Sequence, residues 1–185
     1  MRKSTFKSAV LVLAAAFCLI SCAPEKEKVW GWVSGNLSMS MDAAARGQKG
    51  IANWFKVQFQ EEQAHAEIMM NHVLSRGNKV ELAPIAEVNT TWENALEAFK
   101  DTLAHEKKVT ALINNLYEIA LEEKDYPAQN MLKWFIDEQV EEEESAQEII
   151  DQLDAVEGNK YGLLMIDKDL ATRTYTVPSP LNKGE

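Results

Sequence analysis

Cysteine is almost missing from this chain: 185 residues contain two, Cys18 and Cys22. Cys18 lies in an N-terminal stretch that reads as a removable leader. Cys22 is then alone, which excludes an internal disulfide and leaves stability to a packed core. Proline is also scarce. The five are Pro24, Pro84, Pro127, Pro178 and Pro180, at sites that read as helix starts, a connection and a tail. Positive charge is short as well. Nineteen Lys and Arg stand against 29 Asp and Glu, for a formal charge of −10. Without the three leader cations Arg2, Lys3 and Lys7 the balance is −13. That balance argues against a nucleic-acid-binding surface. It suits a protein that attracts cations, and it also suits one that uses charge only for solubility.

What is present begins with the leader, residues 1–21. Arg2, Lys3 and Lys7 form a basic start, and residues 8–20 form an apolar run too short for a confident membrane span. The run ends in Leu19-Ile20-Ser21-Cys22, which resembles a bacterial lipoprotein lipobox. The resemblance implies cleavage before Cys22, a lipid on its thiol, and an exported, membrane-anchored protein. An unprocessed leader would leave a cytoplasmic protein instead.

Residues 22–36 read as a linker and a degenerate helix start. Gly31 and Gly35 each cost about 1 kcal/mol against Ala in a helix. Trp30 and Trp32 suit either a membrane interface or bundle packing. Helical character returns at 37–46, with Gly47 as a stop. Residues 50–76 form a long predicted helix, in which Ile51, Trp54, Phe55, Phe59, Ala66, Met69, Met70 and Val73 recur at helical spacing. Gly77 stops it. Residues 78–91 contain Pro84 and are long for a connection in a bundle, long enough to run its full length.

A third helix is predicted over 92–123, with Thr91 as its N-cap. Its apolar stripe includes Leu96, Phe99, Leu103, Val109, Ile113 and Leu116. Lys124-Asp125-Tyr126-Pro127 is a tight joint with Asp125 as the next N-cap. A fourth helix follows over 126–156, and Gly158 ends it. Residues 161–170 form a short fifth helix, and 173–185 a fraying tail. Long helices paired around one long connection predict an all-α bundle.

Several polar residues fall on the inner sides of these helices. Glu62 and His65 are three apart and share a face, so they can grip one metal ion. Alone that spacing is common by chance. His72 reads as a surface or packing residue, and His105 as exposed. Glu106 sits three residues after Leu103 and three before Val109, inside the apolar stripe. An acid there is costly unless it is paired with a cation, a lysine or a metal. The run Asp137-Glu138-Gln139-Val140-Glu141-Glu142-Glu143-Glu144 lies mid-helix between apolar clusters around Trp134 and Ile149. Glu138, Glu142 and Ser145 track the inner side, with Gln139 and Glu141 beside it. Crowded carboxylates repel, and a multivalent cation removes that penalty. Oxygen-rich ligation with one imidazole suits iron or manganese better than copper or structural zinc.

Over residues 37–176 the chain resembles the non-haem ferritins of bacteria and archaea. The residues that carry the likeness are Ala52-Asn53-Trp54-Phe55, Gln60-Glu61-Glu62 through His65, and Arg76-Gly77 followed by Val80-Glu81-Leu82. They continue with His105-Glu106-Lys107-Lys108-Val109, Glu122-Glu123-Lys124-Asp125-Tyr126, Trp134-Phe135 and the acidic run from Asp137 to Glu143. A single ExxH, with Gln139-x-x-Glu142 in place of a second one, is similar to ferritin rather than to bacterioferritin or rubrerythrin.

The resemblance implies a ferritin-like four-helix bundle over 37–172, with one long crossover and a short fifth helix. It implies a dinuclear ferroxidase centre: Glu62 and His65 on the first iron, Glu106 and Glu142 on the second, Gln139 close by, and Glu62 bridging. Glu61, Glu138 and Glu141 match an outer, third iron site. The implied reaction oxidises Fe(II) with dioxygen or peroxide and stores Fe(III) inside a cage of many copies. The pattern departs at the front, where the family's first-helix carboxylate falls at Val29 and its nearby tyrosine at Asn36. Valine cannot ligate iron, and Glu25, one turn earlier, could substitute only if the helix shifted. An alternative follows: an iron-binding lipoprotein or scaffold with impaired or absent ferroxidase activity. A membrane-proximal interaction protein without a metal is a third expectation.

Overall fold

The computed structural model describes residues 30–81 and 87–182. The leader, Cys22, Glu25, Val29 and Pro84, and the side chains of Trp30 and Trp32, lie outside the described residues. Among these, five helices follow in order: α1 Trp30–Ala45, α2 Lys49–Ser75, α3 Ala95–Glu122, α4 Tyr126–Ala155 and α5 Lys160–Leu170. The long ones pack as a bundle. None among the described residues is long and apolar enough to cross a membrane.

α1 packs on α2, α3 on α4, and α5 lies across the start of α2. Two apolar clusters occupy the two ends. One joins Met39, Phe55, Phe99, Ile150 and Ile166, so it gathers the C-terminal parts of α1 and α4 with the N-terminal parts of α2 and α3. The other joins Met69, Ile113, Leu116, Leu132 and Phe135 from the opposite helix ends. α2 and α3 are therefore parallel, and the connection between them starts at one end of the bundle and finishes at the other. It is tied to α1 by Ser38 Oγ donating to the Asn89 carbonyl at 2.7 Å and by Arg46 Nη1 donating to the Glu93 carbonyl at 2.7 Å.

Two helix ends differ from the sequence expectation. α1 begins by Trp30, ahead of 37, despite Gly31 and Gly35. Burial of Met39 and Ala43 along it, with Ser40 Oγ donating to the Ala52 carbonyl, outweighs the local glycine cost. α3 is capped by Asn94, not Thr91, because the Asn94 side chain accepts from the Glu97 N–H at 3.0 Å. Trp92 instead tucks into the first cluster and donates its indole N–H to Asp101 Oδ2 at 2.8 Å. Asp125 does cap α4, accepting from the Ala128 N–H at 3.2 Å.

The start of α2 is capped from a distance. Gln48 makes no side-chain cap, and the N–H groups of Gly50 and Ile51 donate to Asp167 Oδ1 of α5 at 2.8 and 2.9 Å. A Cβ at position 50 would lie 1.5 Å from the Asp167 carbonyl oxygen. Only glycine admits this crossing.

Candidate metal centre

Between the two apolar clusters lies a layer of buried polar side chains. α2 contributes Gln58, Glu62 and His65, α3 contributes Thr102 and Glu106, and α4 contributes Gln139 and Glu142. Each helix places them three or four residues apart, on the stripe that is apolar above and below.

Glu62, His65 and Glu142 form a trio whose potential ligand atoms all lie within 4.8 Å of one another. His65 is 2% exposed. Its Nδ1 faces Glu62 Oε2 at 3.8 Å and its Nε2 faces Glu138 Oε2 at 3.9 Å. The rings of Trp134 and Phe135 meet it edge-on at 5.5 and 5.6 Å. Burial opposes charge on His65, but contact with Glu62 and the fields of Glu62, Glu142 and Glu138 outweigh it. The imidazole is raised to about 8. Burial pushes the Glu142 carboxyl well above the usual carboxylate range; Glu106 and Glu62 add to the push, and His65 opposes it.

Glu106, 1% exposed, sits beside Gln139. Gln139 Nε2 lies 3.3 Å from Glu106 Oε2, 3.2 Å from its carbonyl and 3.3 Å from Thr110 Oγ1. Glu106 is outside the trio but close enough to raise Glu142. A cavity of about 330 Å³ between α3 and α4, lined by Thr110, Asn114, Gln139 and Glu143, opens beside this pair.

Glu61, Glu138 and Glu141 lie toward solvent. Glu61 and Glu138 are partly covered and Glu141 is exposed. Burial raises Glu61 and Glu138; Arg173 opposes it at Glu61, and His65 opposes it at Glu138. The inward row of α4 is therefore Leu132, Phe135, Gln139, Glu142 and Ala146, not Glu138, Glu142 and Ser145. The sequence expectation was anchored on Trp134, which is only half-buried, while Leu132 and Phe135 are sealed in the core.

His105 also differs from expectation. It is half-buried, and burial pushes its imidazole down to about 4 against the pull of Glu62. His72 is half-buried too.

Sequence reasoning passed over Thr102, Gln58 and Arg173 at the layer. Gln58, one turn before Glu62, is fully buried and donates to Glu142 Oε2 at 2.6 Å. Its four-residue spacing from Glu62 was the available signal. Arg173 reaches Glu61 from beyond α5 with no local signal at all. α1 adds no carboxylate to the layer: its single acid, Asp42, pairs with Arg46 at 2.9 Å near the end of the helix. Its buried amide, Asn36, is 0% exposed and neither of its polar atoms has a hydrogen-bond partner among the described residues.

Chemically, the layer offers three buried carboxylates and one imidazole, with amides in support. That donor set fits hard or borderline divalent and trivalent cations. A cation there also offsets the mutual repulsion that raises Glu142.

Residues 36–156 match the ferritin-like domain family. The bacterial non-heme ferritin of Bacteroides fragilis (strain 638R) is 39% identical over 137 residues, covering 74% of this chain and 85% of that one. That of Staphylococcus aureus (strain MRSA252) is 34% identical over 139 residues, covering 75% and 84%. Among solved structures, a humanized archaeal ferritin superimposes with a TM-score of 0.81 at 34% identity, covering 95% of this chain and 99% of the other. An open-pore ferritin from the hyperthermophilic archaeon Archaeoglobus fulgidus does so with a TM-score of 0.80 at 33% identity, covering 94% and 99%.

Proposed function

The chain belongs to the ferritin family, and from that premise we propose that it stores iron, binding Fe(II) at a dinuclear carboxylate–histidine site and oxidising it to Fe(III). The observation that carries the proposal is the buried trio Glu62, His65 and Glu142, held between two apolar clusters. In this reading Glu62 and His65 hold one iron, Glu106 and Glu142 hold the second with Gln139 beside it, and Glu62 bridges. Two Fe(II) ions give up two electrons, which with two protons convert dioxygen to hydrogen peroxide, or peroxide to water. Clustered carboxylates favour the product because they stabilise Fe(III) more than Fe(II). Metal entry competes with the proton that the neighbouring carboxylates favour on His65 and with the one that burial and crowding favour on Glu142. The cavity beside Gln139 supports an approach for small species between α3 and α4.

A second reading has a specific observation behind it. α1 brings no carboxylate to the layer among the described residues, and the family's first-helix ligand position falls at Val29. The protein then binds iron without turning it over. Aerobic Fe(II) titration of the purified chain separates the two. Oxidation faster than in buffer, lost in Glu62→Gln, supports the ferroxidase; bound iron with no acceleration supports the second reading. In that case Val29→Glu should restore turnover, and an inert Val29→Glu would show that the missing ligand is not the cause.

The location and assembly proposals rest on sequence and family. The leader and Cys22 direct export and lipid anchoring, and the chain forms a homo-oligomer. A closed cage would point its lipids to every side, so one flat membrane could engage only some of them. Mass measurement of the mature N-terminus and of the native assembly tests both.

A further inference from the structure

Arg173 lies three residues beyond the end of α5, outside any helix, yet its guanidinium reaches the polar layer. Nη1 donates to Gln58 Oε1 at 3.0 Å and to the Trp54 carbonyl at 3.3 Å. Nη2 donates to Glu61 Oε2 at 2.5 Å. The guanidinium carbon stands 4.4 Å from the centre of the Trp54 ring. Asn53 Nδ2 fastens the segment by donating to the Arg173 carbonyl at 2.9 Å. The chain is therefore pinned at Arg173, the first residue of the tail.

Two consequences follow from donor and acceptor identity. An amide has one accepting end and one donating end, and a guanidinium can only donate. Arg173 thus holds the Gln58 oxygen toward itself and turns the Gln58 nitrogen toward Glu142 Oε2, 2.6 Å away. At the same time it supplies a fixed positive charge to Glu61, whose neighbours include Glu62 and Glu141. A metal ion on Glu61 would have to displace that charge.

We propose that Arg173 is a built-in cation that competes with metal for Glu61 and, through Gln58, positions Glu142 in the inner trio, so that it limits how many metal ions each chain holds. The proposal rests on the reading that the polar layer binds metal. Lysine at this position would keep the charge on Glu61, but its single ammonium would not reproduce the planar fork that also orders Gln58.

The test is Zn(II), a redox-inert probe, in equilibrium dialysis against the full chain with elemental analysis. Arg173→Ala is expected to bind about one more Zn(II) per chain than the unaltered protein, since Zn(II) accepts Asp and Glu oxygens and the freed carboxylates no longer face a fixed cation. Glu61→Gln added to Arg173→Ala should abolish the gain. Arg173→Lys should return the original number, yet weaken the inner site about tenfold, because the order imposed on Glu142 is lost. Unchanged Zn(II) in Arg173→Ala overturns the proposal, as does a gained ion that survives Glu61→Gln. If the unaltered protein binds no Zn(II) but Arg173→Ala binds it at Glu61, the competition at Glu61 stands, and the positioning of Glu142 fails together with the reading of the inner site. If inner ions bind and no gain appears, only the proposal fails; if neither protein binds Zn(II), both fail. Should Arg173→Ala not fold, Arg173→Gln, which keeps the side-chain stem over Trp54 without the charge, carries the same expectation.

Discussion

The two apolar ends and the polar layer between them are built on the same helices and follow opposite rules. At the ends, side chains such as Phe55, Phe99, Ile113 and Leu132 are sealed from water, and each adds stability. In the layer, Glu62, Glu106 and Glu142 are buried too, but there burial raises Glu142 and sets like charges against each other. The ends hold the backbone while the layer stays under electrostatic load. A bundle with one end missing could not keep three carboxylates and an imidazole at one height.

The contrast can be broken most severely at an end. Phe99→Ala removes a ring stacked on Phe55 at 4.8 Å and should cost about 3–5 kcal/mol in urea unfolding. Gly50→Ala forces a Cβ into the Asp167 carbonyl, and should destabilise by about 3 kcal/mol, at the top of the usual overpacking range. Hydrogen exchange should then show α5 opening before the rest of the bundle.

The layer should respond to pH where the ends do not. His65 is raised from 6.5 to about 8 in the fold, so the stability it contributes is complete below pH 6.5 and is lost as pH rises through 8. The loss should be about 2 kcal/mol in metal-free protein. His65→Gln should flatten unfolding free energy across that window, and an unchanged slope would mean that His65 is not charged there. The smallest effect belongs to Asn36. Its buried amide makes no hydrogen bond among the described residues, which leaves a desolvation cost of about 1–3 kcal/mol. Asn36→Ala should therefore leave the metal-free Tm level or higher, whereas a clear fall would reveal a partner for the amide.

Much of the bundle was legible in advance because helical periodicity is a local signal. The apolar stripes of α2 and α3, the cap at Asp125, and the stops at Gly77 and Gly158 can each be read within a few residues. That Glu62 and His65 share a face follows from their spacing. The inner row of α4 was harder. Several apolar residues compete to define its stripe, and only packing shows that Leu132 and Phe135 are sealed while Trp134 stays half in solvent. The start of α1 was misjudged because glycine propensity is worth about 1 kcal/mol and tertiary burial outweighs it.

By itself the sequence determined the all-α class, the order and approximate length of the helices, and the presence of carboxylates and one imidazole at helical spacing on inner faces. Only the tertiary structure decided which of those acids meet. It drew Glu62, His65 and Glu142 together, left Glu141 outside, and set Arg173 on Glu61 across 112 residues of chain. The physical reason is range. Periodicity and capping act within a turn or two, whereas the partner of a charge depends on which helices dock and in what register.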